Sequence, residues 1–183
     1  MARIILITGG SRSGKSTYAQ GVAESISGIR TYIATCPCID EEMEERIRKH
    51  KKARQSSSWQ TIEETTDLAG ALQRAKASQV ILVDCLTLWV NNLMYEAEQQ
   101  GKDITEEDSA RLCKEVLGVC DDLPGTVIFV TNEVGLGIIP DNPASRLFRD
   151  IAGRCNQIIA GRADSVIFMI SGLPMNIKGE KII

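Results

Sequence analysis

Aromatic residues make up only 4% of this 183-residue chain, and its formal net charge is −3. A nucleic-acid reader needs a basic surface and aromatic faces on which bases stack, and this composition supplies neither in bulk. The local patch "RIRKHKKAR" leaves one such reading, a RecA-like ATPase that grips a polymer, and the charge and aromatic counts argue against it. No run approaches the roughly 18 apolar residues of a membrane span. The opening stretch "MARIILITGG" passes to glycine and charge too soon for a secretory signal. The expectation is a globular cytoplasmic protein with no membrane and no nucleic-acid partner. Paired C-x-x-C spacing is missing as well: of six cysteines, Cys36 and Cys38 form a lone C-x-C, and Cys85, Cys113, Cys120 and Cys155 are scattered. Cys113 and Cys120, seven apart in an expected helix, read as small buried groups in a reducing compartment, and the six together do not read as a disulfide framework or a metal-thiolate site. Histidine occurs once, at His50.

What is present is an ordinary globular balance, 43% apolar and 25% charged, over the length of one domain, so residues 1–183 are read as a single unit. Short β-branched runs alternate with segments of helical period. Strands are expected at 3–8, 30–35, 79–84, 126–131 and 165–170, each apolar enough for burial on both faces of a parallel sheet, with a possible edge strand in "SSSWQTIE". Helices are expected over Lys15–Ile26, Asp40–Arg54, Thr66–Ala77, Leu86–Gln99, Thr105–Asp121 and Pro143–Gly161. The pattern is α/β: a mostly parallel sheet flanked by helices.

The sharpest motif is "GGSRSGKS", where Gly9, Gly14, Lys15 and Ser16 fit G-x-x-x-x-G-K-[ST] between an expected strand and an expected helix. Such a loop curls backbone N–H groups around phosphate oxygens. Its lysine reaches the terminal phosphates and its serine can ligate magnesium. Asp84 ends the strand "VILVD" at the carboxyl edge of the sheet, where a second carboxylate can position that metal or cap the helix beginning "CLTLW". "TNEVGLG" delivers Asn132 and Glu133 to the same edge, as substrate contacts or as a turn held by Asn132.

Around His50, the pairs Glu42–Arg46, Glu44–Arg48 and Glu45–Lys49 each place an acid four residues before a base, which supports a helix. Met43, Ile47 and His50 share one face, so the imidazole points inward. Read from the residues alone it is either a half-buried packing side chain or a nucleophile. Arg46, Lys49, Lys51 and Arg54 would keep the ring neutral and would stabilise a phosphate under attack.

The segments "ITGGSRSGKSTYA", "TYIAT", "MEERIRKHKKAR", "WQTIE", "VILVDCLTLWVNNL", "VTNEVGLGIIPDNPASRLFRDIAGRCNQIIA" and "SGLP" occur in this order. In them the chain resembles, nearly end to end, the bifunctional adenosylcobinamide kinase and adenosylcobinamide-phosphate guanylyltransferase family. Asp84 stands where some members carry glutamate and Ser11 where alanine is common, and neither change removes a needed group. The resemblance implies a P-loop NTPase fold of RecA-like type, homotrimeric assembly, and two reactions. Adenosylcobinamide is phosphorylated by ATP or GTP, and GMP from GTP is then transferred to adenosylcobinamide phosphate to give adenosylcobinamide-GDP, with Mg2+ as cofactor. The resemblance further implies that His50 carries GMP as a phosphoramidate. It also places nucleotide contacts at Gly9, Gly10, Ser11, Arg12, Ser13, Gly14, Lys15, Ser16, Ala34, Thr35, Cys36, Lys51, Lys52, Ala53, Arg54, Glu63 and Asp84, with Ser16 and Asp84 on the metal. The competing reading is a P-loop small-molecule kinase in which His50 only packs. The base of the kinase step is singled out by neither residues nor resemblance; Asp84 and Glu133 are the candidates.

Overall fold

A computed structural model describes residues 1–37, 59–180 and 182. The expected helix over Asp40–Arg54, and with it His50, Lys51, Lys52, Ala53 and Arg54, lies outside the described residues, as do the first residues of "SSSWQTIE". The described elements run β1 (Arg3–Gly9), α1 (Lys15–Ser25), β2 (Arg30–Ala34), β3 (Trp59–Glu63), α2 (Leu68–Arg74), β4 (Val80–Asp84), α3 (Leu86–Gln99), α4 (Glu106–Asp122), β5 (Thr126–Val130), α5 (Pro143–Arg162), β6 (Ser165–Ile170) and β7 (Leu173–Lys178).

The strands form one seven-stranded sheet in the order β3-β2-β4-β5-β1-β6-β7. All neighbours are parallel except β6 and β7. Side chains alternate across a strand, and here both sets are apolar. Ile4, Leu6, Ile81, Val83, Val127 and Phe129 point to one face, where α2, α3, α4 and α5 pack. Ile5, Ile7, Val80, Leu82, Ile128 and Val130 point to the other, where α1 lays down Ala19, Val22 and Ala23. Continuous apolar runs are what a doubly covered parallel sheet requires, which is why these strands were readable from sequence.

Helix starts divide into two kinds. Asp67 accepts from Gly70 N at 2.8 Å, Thr105 and Asp108 form a reciprocal capping box, and Asn142 accepts from Ser145 N at 3.1 Å ahead of Pro143. Those caps begin α2, α4 and α5. By contrast α1, entered through Gly14, and α3, entered through Cys85, have no side-chain cap.

Two expectations need correction. The helix expected over Thr66–Ala77 is the shorter Leu68–Arg74, because Asp67 is its cap and Ala75 leaves the helical conformation. The strand β7 was not foreseen: "LPMNIK" carries a proline, lacks a β-branched run and is exposed along its whole length. A hairpin makes it, since Ser171 and Gly172 have φ of 50° and 85°, the positive pair of a two-residue turn, and Ile170 pairs with Leu173 across it.

Candidate active site

The carboxyl ends of the parallel strands gather on one edge. Register aligns Glu63 with Ala34, Ala34 with Asp84, Asp84 with Val130, and Val130 with Ile7, two residues before Gly9. The phosphate-binding sequence therefore emerges beside the ends of β2, β3 and β4, which is where parallel α/β sheets bind ligands.

The loop from Gly9 to Ser16 is held from both sides. Glu133 N donates to Gly9 O at 3.0 Å, and Gly172 N, from the β6–β7 turn, donates to Ser13 O at 3.0 Å. Glycine is required at position 9: its φ is 147°, and a Cβ there would lie 2.5 Å from Met169 O. Gly14 enters α1 at φ 93°, a left-handed conformation that leaves the first-turn N–H groups without a side-chain partner. Unpaired N–H groups at a helix start attract anions.

Lys15 is only 7% exposed, and its Nζ donates to Gly10 O at 2.6 Å across the loop. Desolvation holds its pKa below the usual lysine value, opposed by Cys85 and Asp84. Burial pushes the Cys85 thiol up to about 12, with the Asp84 charge adding to the effect. Cys85 is thus a neutral thiol near pH 7, and Asp84 is the charge that Lys15 feels. Two hydroxyls at the loop, Thr8 Oγ1 and Ser13 Oγ, are buried and have no hydrogen-bond partner among the described residues. Orphaned polar atoms under a phosphate loop fit a site shaped for a charged ligand.

Asp84 is half-buried at the end of β4. The Tyr32 hydroxyl donates to its Oδ2 at 3.0 Å. It does not cap α3, whose N-cap residue is Cys85, so the capping alternative falls away. In the Ala34–Cys36 segment, Thr35 is fully buried and committed to the protein. Its Oγ1 accepts from Cys85 N at 2.7 Å and donates to Cys85 O at 2.8 Å, while its carbonyl accepts from Asn92 Nδ2 at 2.8 Å. Thr35 ties β2 to β4 beside Asp84; Ala34 and Cys36 supply the half-exposed surface of that segment. Glu63 ends β3, exposed, one strand further out.

The structure thus brings together Gly9, Gly10, Ser11, Arg12, Ser13, Gly14, Lys15, Ser16, Ala34, Thr35, Cys36, Glu63 and Asp84 along one edge. Sequence reasoning missed Tyr32, which orients Asp84, and Asn156, which is 8% exposed. A signal for Asn156 existed: it interrupts the apolar stripe Ile151, Ala152, Cys155 and Ile159 of α5, and a polar residue in such a stripe must find partners.

A phosphate loop after an interior strand of a parallel sheet, with a lysine inside the loop and a carboxylate at a nearby strand end, defines a P-loop nucleotide-binding protein. The fold agrees with that of an ATPase from the type III secretion system of pathogenic bacteria, with a TM-score of 0.60 at 14% identity, over 95% of this chain and 56% of that one. Residues 5–177 match the cobinamide kinase / cobinamide phosphate guanyltransferase family, and the chain belongs to that family. It is 44% identical to the bifunctional adenosylcobalamin biosynthesis protein CobP of Pseudomonas aeruginosa, over 97% of this chain and 98% of that one. It is 37% identical to the bifunctional protein CobU of Escherichia coli K12, over 96% and 99% of the two chains, and 38% identical to CobU of Salmonella typhimurium over the same shares. No described helix is long and apolar enough to cross a membrane.

Proposed function

We propose that this enzyme phosphorylates the aminopropanol hydroxyl of adenosylcobinamide with ATP or GTP, and then replaces the pyrophosphate of GTP with adenosylcobinamide phosphate. The observation that carries this is a complete phosphate loop, with Lys15 buried inside it and Asp84 facing it electrostatically, in a chain that matches the bifunctional family along its length.

The chemistry follows from the charge distribution. In the kinase step the γ-phosphoryl group moves to an alcohol, and the protein's task is to position the reactants and offset charge. Lys15 and the uncapped N–H groups of α1 hold the β- and γ-phosphate oxygens. Magnesium supplies further charge neutralisation when bound; the Ser16 hydroxyl and the Asp84 carboxylate are the groups that would hold it, and both are oxygen donors of the kind it prefers.

In the guanylyl step the same cradle retains the pyrophosphate. His50 attacks the α-phosphorus with its free nitrogen; an N–P bond forms, the bond to pyrophosphate breaks, and the displaced proton passes to solvent. A phosphate oxygen of adenosylcobinamide phosphate then displaces the imidazole and takes the GMP. Lys51, Lys52, Ala53 and Arg54 follow His50 directly and are assigned, with Ala34–Cys36 and Glu63, to the guanine nucleotide by family resemblance. The same resemblance supports a cytoplasmic homotrimer of one catalytic domain, 1–183, which sedimentation tests.

GTP labelled at the α-phosphate, incubated with magnesium and the purified chain, should leave acid-labile, alkali-stable label on His50, absent after His50→Ala. GTP labelled at the γ-phosphate should leave none. Phosphorylation of adenosylcobinamide without any bound label would reduce the enzyme to a kinase and His50 to packing.

A further inference from the structure

The segment after β5 has a fixed base and an exposed apolar tip, and the nucleotide chemistry uses neither. At the base, the Thr131 hydroxyl donates to Asn156 Oδ1 at 2.7 Å, Asn156 Nδ2 donates to Asn132 O at 3.1 Å, and Asn132 N donates to Thr87 Oγ1 at 2.6 Å. Thr87 and Thr131 are themselves 3.1 Å apart, hydroxyl to hydroxyl. All three side chains are at most 8% exposed, so this is a buried polar network with its partners in place. The next residue, Glu133, bonds the phosphate loop through Gly9 O. At the far end, Arg146 Nη1 donates to the carbonyls of Pro140 and Asp141 at 2.9 and 2.6 Å.

Between these anchors stand Leu136, Ile138 and Ile139, which are 77%, 95% and 63% exposed. Single exposed aliphatics are ordinary, but three within four positions, on a loop fastened at both ends, mark a surface that meets something apolar. Next to Ile139 lies a groove of about 820 Å3, lined by Gly135, Gly137 and Ile139 of this segment, by the acidic start of α4 (Glu106 and Glu107), and by a stretch of α5 that carries Arg149, Asp150, Arg154 and Gln157.

We infer that the Glu133–Ile139 loop is the recognition element for the acceptor, a broad macrocycle with apolar faces and an amide-bearing rim. The inference rests on the proposed function and deepens it. The acceptor's alcohol must reach the terminal phosphate, yet a macrocycle is too wide to enter the phosphate cradle and must lie just outside it. The loop leaves the cradle by a single hydrogen bond, and three to six residues of chain span about 10–20 Å, the reach of a ring and its aminopropanol arm. Leu136, Ile138 and Ile139 match the ring face; Arg149, Arg154 and Gln157 can bond the rim amides. Residues 134–139 carry no charge, which fits a ligand that is not a second nucleotide.

The test uses Ile138→Ser and Leu136→Ser in the full chain. Each should raise KM for adenosylcobinamide about tenfold or more, as removal of an apolar anchor does, with kcat and the nucleotide KM near wild type. Ile138→Met should restore most of the loss. Label uptake from GTP alone involves no acceptor and should persist. Unchanged acceptor KM in both serine variants, with wild-type turnover intact, overturns this inference and leaves the proposed function standing. A lower sedimenting mass together with lost label uptake overturns it in favour of a second copy of the chain seated on the loop. Absence of adenosylcobinamide phosphorylation by wild type overturns the functional reading itself, and this inference with it.

Discussion

Replacing Thr35 by valine tests whether this one hydroxyl sets the position of Asp84. Valine keeps the shape and adds a methyl in place of the oxygen, so no cavity forms. What changes is the pairing of Cys85. Its carbonyl retains the bond from Trp89 N at 3.1 Å, but its N–H loses the acceptor it had at 2.7 Å. A buried donor left unpaired costs about 1–3 kcal/mol. Taking about 2 kcal/mol, the melting temperature of a chain this size falls by about 4–8 °C. Thr35→Ser keeps both bonds and removes one buried methyl, worth about 1 kcal/mol. Urea and thermal unfolding of the three proteins should therefore rank wild type above serine and serine above valine. The valine variant should also show a modestly raised KM for GTP, because the strand end that carries Asp84 has lost one of its ties to the β2 side, the Tyr32 hydroxyl and the Thr35 N–H bonds to Asp84 remaining. A valine variant as stable as the serine one, or more so, would show that the Thr35–Cys85 bonds do not hold this edge.

The Asn156→Ala variant removes both the acceptor of Thr131 and the donor to Asn132 O, and should lower stability by about 2–4 kcal/mol in urea unfolding, with acceptor KM rising more than nucleotide KM. The lowered pKa of Lys15 fixes a pH effect whose sign can be worked out. Bound phosphates favour the charged amine, so binding above the free protein's lowered Lys15 pKa must take up a proton, and GTP affinity should fall as pH rises above that value. The unbound fold disfavours the charged amine, so Lys15's contribution to stability rises with pH between that lowered value and the ordinary 10.5. Titration calorimetry of GTP binding across the alkaline range reads the first effect, and Lys15→Arg, charged throughout, should flatten it.

Parallel strands with apolar residues on both faces announce themselves, as "VILVD" and "TVIFV" did, because burial on both sides leaves little room for other residue types. The phosphate loop was legible for a similar reason, since its glycines and lysine are dictated by backbone geometry and charge within eight consecutive residues. The strand β7 was hidden because hairpin pairing, not residue preference, makes it a strand. Bonds between residues far apart in sequence, such as Tyr32 to Asp84 or Thr131 to Asn156, depend on which strands and helices become neighbours, and no local pattern encodes that. Thr35 shows the same limit: nothing in the local run "TYIAT" says that its hydroxyl holds two strand ends together.

The contrast between capped and uncapped helices carries a thermodynamic meaning for the folded state as a whole. The helices that begin at the phosphate loop and after Asp84 lack the side-chain caps that α2, α4 and α5 possess. In α1 the missing partner is an anion that arrives from solution, so the nucleotide serves as the last piece of secondary structure to be put in place. The chain is then most stable when it is working, and its resistance to unfolding rises with the logarithm of nucleotide concentration. A serine or aspartate cap cannot take over that task at position 14, because its φ of 93° suits glycine and strains any side chain, so firmness at the start of the first helix is left to the nucleotide.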